Sequence, residues 1–153
     1  MNAFADEKYA CIRLDNQLCF PLYACAKEVV RQYRKPLEEL NLTYTQYIVM
    51  MVLWEHGTLS ESELGNKIHL DSGTLAPLLK RLEKTGYILR SRPENNERKL
   101  LVTLTEQGER LKEKATSVPY AMTGCLDLTR TELVQLKALL KKALTGMEKK
   151  HDY

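Results

Sequence analysis

Residues 70–108 read LDSGTLAPLLKRLEKTGYILRSRPENNERKLLVTLTEQG, and this stretch decides the fold. Asp71 is a good helix N-cap. Behind it Leu75, Leu78, Leu79 and Leu82 repeat at i, i+3, i+4, i+7, which makes one apolar stripe on a helix. The other face carries Ser72, Thr74, Lys80, Arg81 and Lys84, and Gly86 closes the helix. After Gly86 the period changes. Residues 87–92 and 99–104 read as strands around Pro93-Glu94-Asn95-Asn96, a strong turn signal. Thr105 then caps a further helix that runs through Leu111 toward Thr116.

Working upstream, Ser60 with Glu63 forms a capping box for a short amphipathic helix through Leu64 and Ile68. A turn at His69 and Leu70 joins it to Asp71, so the order is helix, turn, helix, charged hairpin. Thr43 with Gln46 makes another capping box, opening a helix through Ile48, Val49, Val52, Leu53 and Trp54 that Gly57 ends. Before it, Asp15 or Asn16 is expected to cap a first helix. Leu18, Leu22, Ala26, Val29, Val30 and Tyr33 lie along it at helical spacing, and it runs to about Lys35, where Pro36 marks a kink or break. Residues 1–14 read as a flexible arm. Downstream, Pro119 interrupts the helix, and Thr129 with Glu132 opens a last amphipathic helix through Leu133, Leu136, Leu139, Leu140 and Leu144. That stripe either covers the core or meets a second copy. Long amphipathic helices at both ends of a small chain favour the dimer. The expected fold is mainly α with a small β-hairpin wing (α+β), a winged helix-turn-helix with dimerisation helices at both termini. Its expected segments are the arm, an N-terminal helix over 15–40, a DNA-binding domain over 41–105 and C-terminal helices over 106–153.

Charge distribution says more than total charge. The 153 residues carry a net charge of +3, yet residues 67–99 hold eight basic side chains against four acidic ones, a local excess of +4. A local basic surface suits a polyanion, although a solvated Lys/Arg face has the same composition. In a helix-turn-helix the second helix enters the major groove while the first braces it. Small polar residues at the start, Ser72 and Thr74, then Lys80 and Arg81, fit that order. Arg90, Arg92, Arg98 and Lys99 on the hairpin are placed to reach the neighbouring minor groove or its phosphates. The competing view is a small α+β domain with a solvated hairpin. No apolar run approaches the roughly 20 residues of a bilayer span, and the N-terminus lacks a signal-peptide core, so a cytoplasmic protein without membrane contact is expected. The cysteines Cys11, Cys19, Cys25 and Cys125 form no C-x-x-C pair and no His pair has zinc-finger spacing. No metal and no cofactor are therefore expected, and the thiols are taken as free.

Residues 70–108 resemble the MarR family of winged-helix regulators. The wing signature of that family is Asp-x-Arg followed by apolar strand residues and Leu-Thr. Here it reads Asn96-Glu97-Arg98, then Leu100, Leu101, Val102 and Leu104-Thr105. The resemblance implies that Arg98 enters the minor groove and that Pro77 belongs to the DNA-contacting set with Ser72, Thr74, Lys80 and Arg81. Asn96 replaces the acid that helps hold the wing. The N-terminal stretch LDNQLCFPLYACAKEVVRQYRKPLEELNLTYTQYIVMMVLWE is similar to the organic-hydroperoxide-sensing group within that family. There a reactive Cys sits early in the first helix in the pattern Asn-Gln-Leu-Cys-Phe, which places it at Cys19. Two tyrosines hydrogen-bond its thiolate across the dimer interface, and the matching positions are Tyr33 and Tyr44. In some relatives a second Cys near Cys125 pairs with the sensing Cys of the other subunit. The resemblance implies a homodimeric repressor that binds a pseudo-palindromic double-stranded operator when reduced and leaves it when an organic hydroperoxide oxidises Cys19.

The chemistry agrees with the residues. A thiolate is the nucleophile, and the first turn of a helix favours the anion through the helix dipole. Phe20, Leu22 and Tyr23 would give an apolar surround suited to an organic peroxide. Cys25 and Tyr47 read as packing, and Cys11 as incidental. Cys19 as a small buried core residue is the plain alternative. Two other functions stay open: a MarR-type repressor released by a small aromatic ligand, and a thiol peroxidase. The second lacks a Thr-x-x-Cys pattern and has no use for a basic hairpin, so no enzyme activity is expected. Activation rather than repression also stays open.

Overall fold

The computed structural model describes residues 9–93 and 99–151. The helices are α1 (Cys19–Gln32), α2 (Arg34–Glu38), α3 (Tyr44–His56), α4 (Glu61–Ile68), α5 (Ser72–Lys84), α6 (Glu106–Ala115), α7 (Ser117–Ala121) and α8 (Arg130–His151). Three short strands, β1 (Leu59–Ser60), β2 (Ile88–Ser91) and β3 (Leu101–Leu104), form an antiparallel sheet in the order β1-β3-β2. The chain divides into two compact units, residues 1–122 and 123–153.

The first unit is built around α3, which buries Gln46, Tyr47, Val49, Met50 and Leu53. The Thr43–Gln46 capping box forms as expected, and Gly57 ends the helix at φ 73°. Ser60 and Glu63 cap α4 reciprocally, with the Ser60 N–H donating to Glu63 Oε2 at 2.8 Å. The α4–α5 turn passes through His69 in the left-handed region, φ 55°. Asp71 then caps α5 by accepting the Thr74 N–H at 2.9 Å. Of the leucine stripe on α5, Leu75, Leu79 and Leu82 are fully buried and Leu78 packs at the margin.

The hairpin register is Ile88↔Leu104 through Ser91↔Leu101. Both strands are shorter than the sequence pattern suggests, and β1 adds a third, pairing Leu59 with Val102. Two residues are too few to show a period, so β1 leaves no trace in the sequence. The core continues beyond the sheet, through Leu111, Ala115 and Val118 of α6 and α7. The Tyr87 hydroxyl reaches across it and donates to the Leu40 carbonyl at 3.0 Å in a buried setting. A Tyr87→Phe variant should lose about 1–2 kcal/mol in urea unfolding, because the Leu40 carbonyl is left without that donor.

Two helices end for one reason, the first about two residues short of the expected Lys35 and the helix through Leu111 at Thr116 as expected. The first helix breaks at Tyr33 and the helix through Leu111 breaks at Thr116, each one turn ahead of a proline. Pro36 and Pro119 cannot donate to, and clash with, the carbonyls four residues back, those of Gln32 and Ala115. The start of the first helix is also corrected. Asp15 and Asn16 lie in a 3-10 turn, Leu14–Asn16, and neither caps α1. The Asn16 side-chain amide donates back to the Ala10 carbonyl at 2.7 Å instead. Leu18 occupies the N-cap of α1 without a side-chain bond.

In the second unit the Thr129–Glu132 capping box forms, the Thr129 N–H donating to Glu132 Oε2 at 2.8 Å. Leu133, Val134, Leu139, Leu140, Leu144 and Met147 of α8 are exposed. Among the described residues no helix is long and apolar enough to cross a membrane.

Candidate functional site

The proposed DNA-reading face lies on α5. Its apolar stripe is turned into the core, which leaves Ser72, Thr74, Pro77, Lys80, Arg81 and Lys84 on the outward side. Asp71 anchors the start of this face. It takes the Thr74 N–H and, at 2.9 Å, the Thr74 hydroxyl, and these bonds hold its carboxyl below the usual carboxylate range. Arg92 and Lys99 are exposed at the ends of the hairpin strands. Arg98 and Asn96 lie outside the described residues.

Arg90 is tied to the recognition helix. Its Nη2 and Nε donate to Glu83 Oε2 at 2.7 and 2.9 Å, and its backbone N–H donates to Glu83 Oε1 at 3.0 Å. Its side chain is only 19% exposed. The Arg90 hydrogen bonds keep the Glu83 carboxyl below its ordinary range.

The thiol region lies elsewhere in the same unit. Cys19 is the first residue of α1 and is exposed. Leu18 at the N-cap makes no side-chain cap bond, and the positive end of the helix dipole lies beside the thiol. Pro21 fits the first turn, where its missing N–H costs nothing. Phe20, Leu22 and Tyr23 are 45%, 44% and 63% exposed, an open apolar patch and not an enclosing pocket. Indeed α1 buries none of its residues fully. Cys25, expected to be packed, is exposed too. Cys125 is partly buried and sits in the second unit, between Gly124 and Asp127, both at positive φ.

Tyr33 and Tyr44 are brought together. Tyr33 ends α1, Tyr44 begins α3, and their rings lie 4.7 Å apart between centroids. Tyr47 and Trp54 extend the aromatic run at 6.1 and 6.3 Å. Burial raises the Tyr47 phenol above its ordinary value. Trp54 Nε1 donates to the Gly108 carbonyl at 2.9 Å, linking the run to α6. Cys19 and Tyr33 stand at opposite ends of α1, about 21 Å apart along its axis at a rise of about 1.5 Å per residue. The Cys19 thiol and the Tyr33–Tyr44 phenols of one chain are therefore too far apart to bond.

Residues 31–115 match the family model described as transcriptional regulator SarA/Rot. The chain is 44% identical to the organic hydroperoxide resistance transcriptional regulator of Bacillus subtilis, over 95% of this chain and 99% of that one. Among solved structures it is similar to reduced AbfR bound to DNA, at 34% identity and TM-score 0.77, covering 92% of this chain and 96% of that one. The disulfide form of AbfR, a Staphylococcus epidermidis protein, matches at TM-score 0.62 over 92% of this chain and 98% of that one. Apo MarR from E. coli matches at 27% identity and TM-score 0.68, covering 84% and 97%.

Proposed function

The chain belongs to the MarR family of winged helix-turn-helix regulators, in its organic-hydroperoxide-sensing group, and from that premise we propose that it is a homodimeric repressor whose Cys19 oxidation state sets its affinity for operator DNA. Reduced protein binds a pseudo-palindromic duplex, with the α5 helices of the two subunits about one DNA turn apart. The Cys19 thiolate attacks a peroxide oxygen of an organic hydroperoxide. The O–O bond breaks, a sulfenic acid forms, and the alkoxide takes up a proton and leaves as an alcohol. A second thiol then displaces water to give a disulfide, and Cys125 of the partner subunit is the proposed donor. The cytoplasm, with its reducing thiol pool, is the proposed compartment.

The observation that carries this reading is the separation within α1. Cys19 lies at the exposed start of the helix, and the Tyr33–Tyr44 pair lies at its far end. A bond from the Cys19 thiolate to Tyr33 or Tyr44 is then available only between subunits, so dimerisation completes the sensor. Oxidation adds an oxygen to the sulfur, breaks the bonds to Tyr33 and Tyr44, and strains α1 against the partner. The exposed apolar residues of α1 and of α8 supply dimerisation surfaces on this reading.

The test is DNA binding by purified protein on its own upstream DNA in three states: reduced, treated with cumene hydroperoxide, and re-reduced with dithiothreitol. Binding, loss and recovery support the reading. Binding that ignores the oxidant refutes it. Arg81→Ala is expected to weaken binding to specific and scrambled duplexes alike. It should also lower the magnitude of the log K against log salt slope by about 0.9 for each phosphate that Arg81 neutralises.

A further inference from the structure

Glu83 is out of place on its helix. α5 carries the basic residues Lys80, Arg81 and Lys84 around it, and a carboxylate there opposes DNA phosphates. Its geometry gives it other work. Among the described residues β2 is an edge strand, and its outward Arg90 N–H has no neighbouring strand to meet. Glu83 Oε1 accepts that N–H, and Glu83 Oε2 takes two donors from the Arg90 guanidinium. One carboxylate thus binds both the backbone and the side chain of the same wing residue, and the side chains of Arg90 and Glu83 are 19% and 33% exposed. Isolated surface ion pairs contribute little, but a part-buried pair held by three hydrogen bonds fixes a geometry.

We propose that Glu83 is a positioning residue for DNA recognition: it clamps the wing strand β2 to the recognition helix α5 and holds the Arg90 cation away from phosphate. The proposal rests on the DNA-binding reading of α5 and the hairpin. A wing locked at one angle meets the minor groove only where the recognition helix is correctly seated in the major groove. Releasing the clamp should therefore damage specific binding more than non-specific binding. It also frees Arg90 as an extra cation, which non-specific binding would gain.

The experiment uses the reduced full-length protein, a duplex selected by the wild type from a random-sequence pool, and a scrambled duplex of equal length. Circular dichroism and thermal melting check the fold of each variant. Glu83→Ala is expected to lose about tenfold or more on the selected duplex and little on the scrambled one, with a steeper salt dependence as Arg90 becomes available. Glu83→Gln keeps one acceptor and should fall between the wild type and Glu83→Ala. Arg90→Gln should lower specific affinity with no change in salt slope. An unchanged ratio of selected to scrambled affinity in Glu83→Ala overturns the proposal. So does a drop of about 0.9 in the Arg90→Gln slope on both duplexes, because Arg90 would then be neutralising a phosphate. If Glu83→Ala does not stay folded, the Arg90→Gln slope decides alone. Failure of the wild type to select any duplex would instead refute the DNA-binding reading itself.

Discussion

A Gly108→Ala variant is expected to lose about 3 kcal/mol or more of stability, or to fail to fold, from the addition of one methyl group. A Cβ at Gly108 would stand 2.0 Å from the Tyr87 carbonyl oxygen, 3.0 Å from its carbon and 3.2 Å from Leu104 Cδ2. None of these neighbours moves freely. The Tyr87 carbonyl accepts the Thr105 N–H at 3.0 Å, and the Tyr87 ring is held through its hydroxyl to Leu40. Gly108 itself is held from two sides, its N–H donating to Thr105 Oγ1 at 3.0 Å and its carbonyl accepting from Trp54. The start of α6 is thus pressed onto the strand that leads into the hairpin, and only a glycine allows the approach. Gly146 is the control. Among the described residues a Cβ there meets nothing within 4 Å, and Gly146→Ala in the interior of α8 should stabilise by about 0.5–1 kcal/mol. Urea unfolding at one fixed protein concentration compares the two variants.

Cys19→Ser is expected to keep DNA affinity within about twofold of the reduced wild type and to abolish release by organic hydroperoxide. The serine hydroxyl can still meet the tyrosines, so the reduced-like dimer survives. It cannot be oxidised to a sulfenic acid or form a disulfide, so the response disappears outright. Cys125→Ser should separate the two steps. The first oxidation proceeds, and the product becomes a sulfenic acid or a mixed disulfide with a small thiol. Release from Cys19→Ser by the same oxidant would contradict the mechanism. A cavity of about 500 Å³ beside Tyr44, lined among others by Val30, Arg34 and Leu42, is the observation that favours the other reading, release by a small aromatic ligand. Release of Cys19→Ser by such a ligand would support it.

Much of the fold was legible because its signals are local. The capping boxes at Thr43, Ser60 and Thr129 and the cap at Asp71 all form, since a side chain three residues from its partner needs no tertiary context. The leucine stripe of α5 and the glycines after α3 and α5 were readable for the same reason. What failed to show in the sequence depends on distant partners. The Asn16 amide turns back to Ala10, which no capping pattern reveals. The two-residue β1 exists only because β3 lies beside it. Arg90 read as one more basic hairpin residue, and only the folded chain shows Glu83 holding it. The thiol region is the reverse case. Cys19, Tyr33 and Tyr44 came from a family resemblance, and a single chain leaves Cys19 apart from both phenols because the contact, on the proposed mechanism, belongs to two chains.

The most direct test of the central claim follows one sample through a titration with cumene hydroperoxide, reading DNA release by fluorescence anisotropy and the oxidation of each cysteine by peptide-resolved mass spectrometry. The account predicts that the fraction of DNA released tracks the fraction of Cys19 oxidised, and that dithiothreitol reverses both together. Release while the Cys19 peptide remains reduced, or full oxidation of Cys19 with DNA still bound, would contradict it.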